Sequence, residues 1–302
     1  MNDLDKASQL IKNDDLVVIP TETVYGLAAS IYSEIAIKKI FKIKERPFFD
    51  PLIVHISSVE MAKELTTSWD ETCNVLAKKF WPGPLTIVIP KSDKIIDLIT
   101  SGLPDVGLRC PDNKLTLKLI EQLNTPLAAP SANKFTKTSP TLASHVQDEF
   151  GDSVFILDDG PCSLGIESTV IGIKSDAIQI YRPGSITKSQ IESSLNAAGI
   201  DLKVITGESP VSPGALKHHY MPKKPITLVK KINPTDESVS TWIVPQDAVI
   251  ASRELYSKLR AMDKENTNSI TIVLQESFKG DEKFNGFLNR LDKAKTVDYY
   301  FI

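Results

Sequence analysis

Over its first two-thirds the chain alternates short, β-branched apolar runs with amphipathic stretches, and that alternation restricts the fold more than any other feature. LVVIP (16–20), PLIVHI (51–56), LTIVIP (85–90), TPLAAP (125–130), SVFILD (153–158), STVIGI (168–173) and AIQIYR (177–182) are bounded by Pro, Gly or Asp and read as strands. Helical spacing fills the gaps. Glu34–Lys44 puts Ile37, Ile40 and Phe41 on one face, Ser68–Phe80 does so with Val75, Leu76 and Phe80, and Lys114–Leu123 is a third. Ser139-Pro140-Thr141 before LASHVQDEF reads as a capped helix start with Pro in the first turn. Ile186–Ala198 opens near Thr187 and turns Ile191 and Leu195 inward. The pattern predicts an α/β (α+β) fold on a twisted, mixed open sheet with flanking helices.

From Gly207 to Pro225 the text GESPVSPGALKHHYMPKKP loses both periodicities, which predicts an interdomain linker. Beyond it ITLVK, STWIVP and SITIVL read as strands, with helical patterns around Arg253–Met262 and Gly286–Lys295. The expected units are therefore 1–206, the linker 207–225, and a smaller α/β unit over 226–302. A chain of 302 residues suits one large or two unequal domains. The 35 basic and 38 acidic side chains nearly cancel, which argues against a surface that grips nucleic acid as a whole and leaves room for a local patch. No apolar run has the length of a membrane span. The start MNDLDKASQLIKNDD has no apolar core of the secretory kind. Cys73, Cys110 and Cys162 are scattered and odd in number, so a reduced, cytoplasmic protein without a cysteine metal site is expected.

Polar groups gather at the expected strand ends, where α/β proteins tend to bind ligands. IPTETVYGL (19–27) offers Thr21, Glu22, Thr23 and Tyr25, although turn capping would also explain them. FKIKERPFFDPLIVHI (41–56) sets Lys42, Lys44 and Arg46 before the strand that carries His55. Those cations fit a phosphate clamp, or simply the end of a helix, and His55 fits a satisfied core histidine equally well. Arg109, within VGLRCPDN, needs an acidic partner or an anionic ligand if it is buried. Ser131 and Asn133 in APSAN, Ser168 in GIEST and Arg182 in IYRPGSI complete the set. There is no G-x-x-x-x-G-K-[ST] loop, G-x-G-x-x-G turn, H-E-x-x-H or G-x-S-x-G elbow. The adjacent His218 and His219 in the linker are a weak metal signal.

In this order the strings IPTETVYGLA, KIKERPFFDPLIVHI, FWPGPLTIVI, VGLRCPDN, APSAN, SPT, GIESTVIGI, YRPGSIT and SPGALKHHYMP closely resemble the YrdC-like family, in the longer two-domain form of the L-threonylcarbamoyladenylate synthases. They span about residues 14–225, with weaker similarity in LNRLDKA. The resemblance implies a YrdC-like catalytic domain and a smaller Rossmann-like C-terminal one. It implies an enzyme, a nucleotidyltransferase, that makes threonylcarbamoyl-AMP and pyrophosphate from L-threonine, bicarbonate or CO2, and ATP with Mg²⁺. The product would go to the machinery that modifies tRNA beside the anticodon, with weak RNA binding and no membrane. Carried over by position, Lys44, Arg46, Asp50, Ser131, Asn133, Ser139, Arg182 and Tyr220 would serve ATP, with Lys44 and Arg46 central to catalysis. Thr23, His55, Arg109 and Ser168 would hold threonine, and His219 or Tyr220 would belong to a lid. Glu45 stands where the family generally has Gly and is expected to add a carboxylate beside the clamp. Phe48-Phe49-Asp50 and KFTK (134–137) are further departures. A non-catalytic, ribosome-associated RNA-binding module and a carbamoyl-adenylate transferase stay open as alternatives.

Overall fold

The computed structural model describes residues 2–207, 219–230 and 238–296. Its strands are β1 (Val17–Ile19), β2 (Gly26–Ser30), β3 (Ile53–His55), β4 (Leu85–Pro90), β5 (Asp105–Arg109), β6 (Leu127–Ala128), β7 (Phe155–Ile156), β8 (Thr169–Ile173), β9 (Ala177–Arg182), β10 (Lys203–Thr206), β11 (Ile226–Val229), β12 (Val239–Ile243) and β13 (Ser269–Val273). The first ten make one sheet in the order β10-β9-β8-β4-β5-β3-β6-β2-β1-β7. Its pairings are mixed: β3 runs parallel to β5 and β4 to β8, while β4 with β5 and β8 with β9 are antiparallel. The last three form a separate, all-parallel sheet in the order β11-β13-β12.

The helices over Glu34–Lys44 and Lys114–Leu123 occupy the residues their spacing predicts. The one expected from Ser68 begins at Glu71, where Asp70 caps it by accepting from the Cys73 N–H. Thr187 and Gln190 form a reciprocal capping box at the head of Lys188–Ala197. The expected start at Ser139-Pro140-Thr141 is corrected: the helix is Ala143–Phe150, and Leu142 at its head gives no side-chain cap. Ser139 is unavailable for capping because its hydroxyl is spent on Glu167. Three expected strands are shorter than their apolar runs, ordered as pairs only over 53–55, 127–128 and 155–156. Pro51, Pro126 and Pro130 flank two of them and cannot donate to a ladder. The polar start holds an unforeseen helix, Asp3–Lys12, capped by Asn2 and buried only along Ala7, Ser8 and Ile11.

Residues 208–218, most of the expected linker and including His218, lie outside the described residues. The chain reappears at His219 and Tyr220, both buried. The core of the small sheet takes in residues of the first unit: Val24 and Ile166 cluster with Tyr220, Tyr256, Phe287 and Leu291. Each such apolar side chain removed from water contributes about 1.5–3 kcal/mol. Two glycines permit the contact. At Gly165 (φ +75°) a Cβ would stand 2.5 Å from the Arg253 Cα, and at Gly286 one would stand 2.8 Å from the Gly184 carbonyl oxygen.

Candidate functional site

Where the ends of β3, β5 and β9 meet the start of β8, the sheet opens into a cleft. Thr23, His55, Arg109 and Ser168 all line it, so the four residues expected to hold threonine converge although they come from four separate strings. Of the eight expected to serve ATP, Arg46, Ser131, Arg182 and Tyr220 line the same cleft, and Lys44, Asp50, Asn133 and Ser139 stand behind its wall.

His55 and Arg109 end their strands side by side in parallel register. The Arg109 guanidinium meets the expected acidic partner: Nη2 lies 2.8 Å from Glu22 Oε2, and Nε donates to the Gly83 carbonyl at 3.3 Å. Glu22 Oε2 also accepts from the Asp112 N–H at 3.1 Å. Charge is therefore matched, but hydrogen bonding is not. Glu22 Oε1 and His55 Nδ1 are buried without a hydrogen-bond partner, and Arg109 Nη2 has the Glu22 carboxylate alone. Burial, reinforced by the Arg109 charge, lowers the His55 pKa to about 3, so its ring is neutral at physiological pH. Thr23 is fully buried, its hydroxyl 2.8 Å from that of Thr21. Ser168 shares a 2.7 Å hydrogen bond with Thr86 and accepts from Arg182 Nη2 at 3.1 Å.

On the cationic side, Lys44 donates to the carbonyls of Ser131 at 2.6 Å and Asn133 at 2.5 Å. Burial first, and then the Arg46 charge, hold its pKa well below the usual lysine value. Lys44 thus fastens the 131–133 turn to the end of its helix. Arg46 donates to the carbonyls of Asp50 and Pro51 and pairs with the Asp50 carboxylate at 2.9 Å. Burial raises the Asp50 pKa against the opposing pull of Arg46, Lys44 and Arg182. Asn133 gives both amide hydrogens to the carbonyls of Lys134 and Lys137, and its Oδ1 has no partner. Arg182 is oriented by Ser168, whose carbonyl accepts from Nε at 3.1 Å. The carboxylate expected beside this clamp is elsewhere. Glu45 sits in the left-handed region (φ 53°), exposed, and pairs with Lys134 at 2.7 Å. A left-handed residue at a helix end turns its side chain away from the helix face that Lys44 occupies, which leaves that carboxylate in water.

Glu167 and Arg290 were not singled out from the sequence, although GIEST and LNRLDKA contain them. Glu167 lines the cleft and is buried. Oε1 accepts from Ser139 at 2.6 Å, while Oε2 accepts from Tyr256 at 2.9 Å and Arg290 Nε at 2.7 Å. Burial would raise its pKa, but Arg290 and Arg182 outweigh that and bring it down to about 2. Tyr220, in the left-handed region (φ 65°), packs its ring against Tyr256 at 5.7 Å and edge-on against His219 at 4.2 Å. His219 Nδ1 has no partner, and burial lowers the pKa of this ring also to about 3. The arrangement offers cations and unfilled polar atoms around one cavity and, among the described residues, no cysteine or serine nucleophile with an adjacent histidine. It is built to bind and orient anionic groups.

A family model described as "Telomere recombination", that of the Sua5, YciO and YrdC proteins, matches residues 9–184. A second, "Threonylcarbamoyl-AMP synthase, C-terminal domain", matches 186–296. The threonylcarbamoyl-AMP synthase of Bacillus subtilis is 35% identical, over 96% of this chain and 92% of its own length. That of Pyrococcus abyssi is 38% identical, over 92% of this chain and 78% of its own. The crystal structure of P. abyssi Sua5 complexed with L-threonine is similar with a TM-score of 0.89 and 32% identity, across 100% of this chain and 97% of that one.

Proposed function

The chain belongs to the threonylcarbamoyl-AMP synthase family, in its two-part Sua5 form, and on that premise we propose how its cleft makes threonylcarbamoyl-AMP. The enzyme is a nucleotidyltransferase. The threonine amine adds to CO2, giving a carbamate and a proton; a carbamate oxygen then attacks the α-phosphorus of ATP, and the bond to the leaving pyrophosphate breaks. No protein nucleophile takes part. The protein's contribution is orientation and charge compensation.

In this reading Arg109 holds the threonine carboxylate through its guanidinium, beside Thr23, neutral His55 and Ser168. Arg46 and Arg182 compensate the phosphates, and Ser131 and Tyr220 line the nucleotide. Lys44, Asn133, Ser139 and Asp50 shape that side from behind the wall, unless ATP draws the Lys44 amine from its two carbonyls. Residues 1–206 form the catalytic unit and 226–302 its support. His219 and Tyr220, the described part of the segment 207–225 at the cleft, would shield a hydrolysable adenylate from water. Mg²⁺ would be carried on the ATP phosphates. Asp50 is already paired with Arg46, and among the described residues no group of three His, Cys, Asp or Glu forms a cage. The product supplies the tRNA-modifying transferase downstream. No helix among the described residues is long and apolar enough to cross a membrane.

The observation that carries this assignment is the convergence of Arg109 and His55 on the cleft wall, where His55 Nδ1 and, behind Arg109, Glu22 Oε1 are buried without a hydrogen-bond partner. Native interiors seldom leave such atoms unfilled without a ligand or water to fill them. The test is pyrophosphate release from ATP with bicarbonate and Mg²⁺, with and without L-threonine. Threonine-dependent release that is lost in a Lys44→Ala, Arg46→Ala double variant is expected. Release from the wild type no faster than from that variant would sink the assignment. Turnover of carbamoyl phosphate without threonine would favour a carbamoyl transferase instead.

A further inference from the structure

The geometry points to Arg290, in the small C-terminal unit, as a positioning residue for the phosphate side of the cleft. The inference rests on the reading above that Arg182 and Tyr220 serve the nucleotide. Arg290 lies on the helix Asn285–Ala294 and has no exposed surface. Its Nε and Nη2 donate to Glu167 Oε2 at 2.7 Å and to the Glu167 carbonyl at 3.2 Å, while Nη1 donates to the Pro183 carbonyl at 2.8 Å. Its guanidinium carbon stands 5.5 Å over the Tyr220 ring. One side chain therefore ties together the 167–168 run, the turn that follows Arg182, and Tyr220. Through Glu167 it reaches Ser139 as well.

These are the segments whose placement decides where Arg182 points. Arg182 takes its direction from Ser168, through the carbonyl and hydroxyl of that residue, and Ser168 follows Glu167 in the chain. The helix that carries Arg290 is pressed onto the far side of the same turn, since Gly286 packs against the Gly184 carbonyl with no room for a Cβ. A planar guanidinium can serve acceptors on two segments at once in fixed directions, which a lysine ammonium cannot reproduce. Of the residues assigned to threonine only Ser168 lies in this network; His55 and Arg109 end β3 and β5, and Thr23 stands in the bend between β1 and β2. Arg290 itself touches no substrate in this assignment. It acts by holding Glu167, the 183–184 turn and Tyr220.

The test uses the full chain and the variants R290M, R290K and E167Q. ATP and L-threonine affinities are measured separately by calorimetry, KM and kcat by pyrophosphate release, and Tm alongside. R290M is expected to weaken ATP binding and to raise the ATP KM by about tenfold or more, while threonine affinity, reached through Ser168 alone, falls by no more than about threefold. R290K should recover part of the ATP affinity. E167Q, which can keep its bonds to Ser139 and Tyr256, should shift ATP affinity in the same direction by less. If R290M does not fold, the pattern in R290K and E167Q decides. Equal losses of ATP and threonine affinity would overturn the proposal, and so would a lowered Tm with unchanged ATP affinity. A wild type that binds ATP but releases no pyrophosphate counts against the synthase chemistry, and the ATP affinities still decide the role of Arg290.

Discussion

The two walls of the cleft differ in how completely their buried polar groups are filled. At the ends of β3 and β5, His55 Nδ1 and, on the carboxylate that pairs with Arg109, Glu22 Oε1 have no hydrogen-bond partner. Around Glu167 both carboxylate oxygens are occupied, by Ser139, Tyr256 and Arg290, and of the groups beside them His219 Nδ1 is unfilled. The lesson is a division of labour. A saturated network fixes the cleft's shape, and an unsaturated one keeps its bonding capacity for the ligand.

The sharpest way to break this comparison is Glu167→Leu. It leaves Arg290 buried beside Arg182 without its carboxylate, and is expected to destabilise the protein by about 3–5 kcal/mol in urea titrations. A loss below about 1 kcal/mol would mean the network is not saturated in solution.

Acid should expose both walls next. Buried neutral His55 and His219 titrate at about 3 and His145 at about 4, below the ordinary 6.5 of an unfolded histidine. Between those values the unfolded chain binds more protons, so stability rises with pH. Their contribution is complete above about pH 6.5 and is lost as the pH falls toward 4. A cost of about 1–2 kcal/mol per histidine is expected between pH 7 and 5. Glu167 is depressed as well, to about 2, because its charged form is the favoured one, and its contribution is lost only as acid passes from about 4.5 toward 2. A flat Tm between pH 7 and 5 would contradict the buried, neutral rings.

His55→Leu should separate function from stability. Its Nδ1 makes no hydrogen bond, so the expected stability change is within about 1 kcal/mol. Threonine-dependent pyrophosphate release should fall by about 10–100-fold, the worth of one or two ligand hydrogen bonds. The smallest effect is expected at Glu45→Gly, off the cleft. Relief of the left-handed backbone, about 1 kcal/mol, is partly offset by the lost surface pair with Lys134, which solvent screens. A net gain of about 0.5 kcal/mol should show as a slightly raised Tm.

Much of this was legible in the sequence, and particular residues mark where legibility ends. The helices over Glu34–Lys44 and Lys114–Leu123 declare themselves by apolar spacing. A buried Arg109 in an apolar strand called for an acidic partner, and Glu22 answers it. Ser139 misled because Ser-Pro-Thr is a local capping pattern, whereas its hydroxyl is claimed by Glu167 across the fold. Glu167 and Arg290 stand 123 residues apart, and no local periodicity couples such positions. Glu45 likewise reads as part of a charged cluster until its positive φ turns it to solvent.

The most direct test of the unfilled wall is a crystal structure of the full chain with L-threonine and a non-hydrolysable ATP analogue. The account expects the threonine carboxylate within about 3 Å of Arg109 Nη2, with the amino acid beside His55, Thr23 and Ser168. The phosphates should stand between Arg46 and Arg182, and the Glu167–Arg290 contacts should be unchanged. Threonine bound away from Arg109 and His55, or a Glu167–Arg290 pair broken by the ligands, would contradict it.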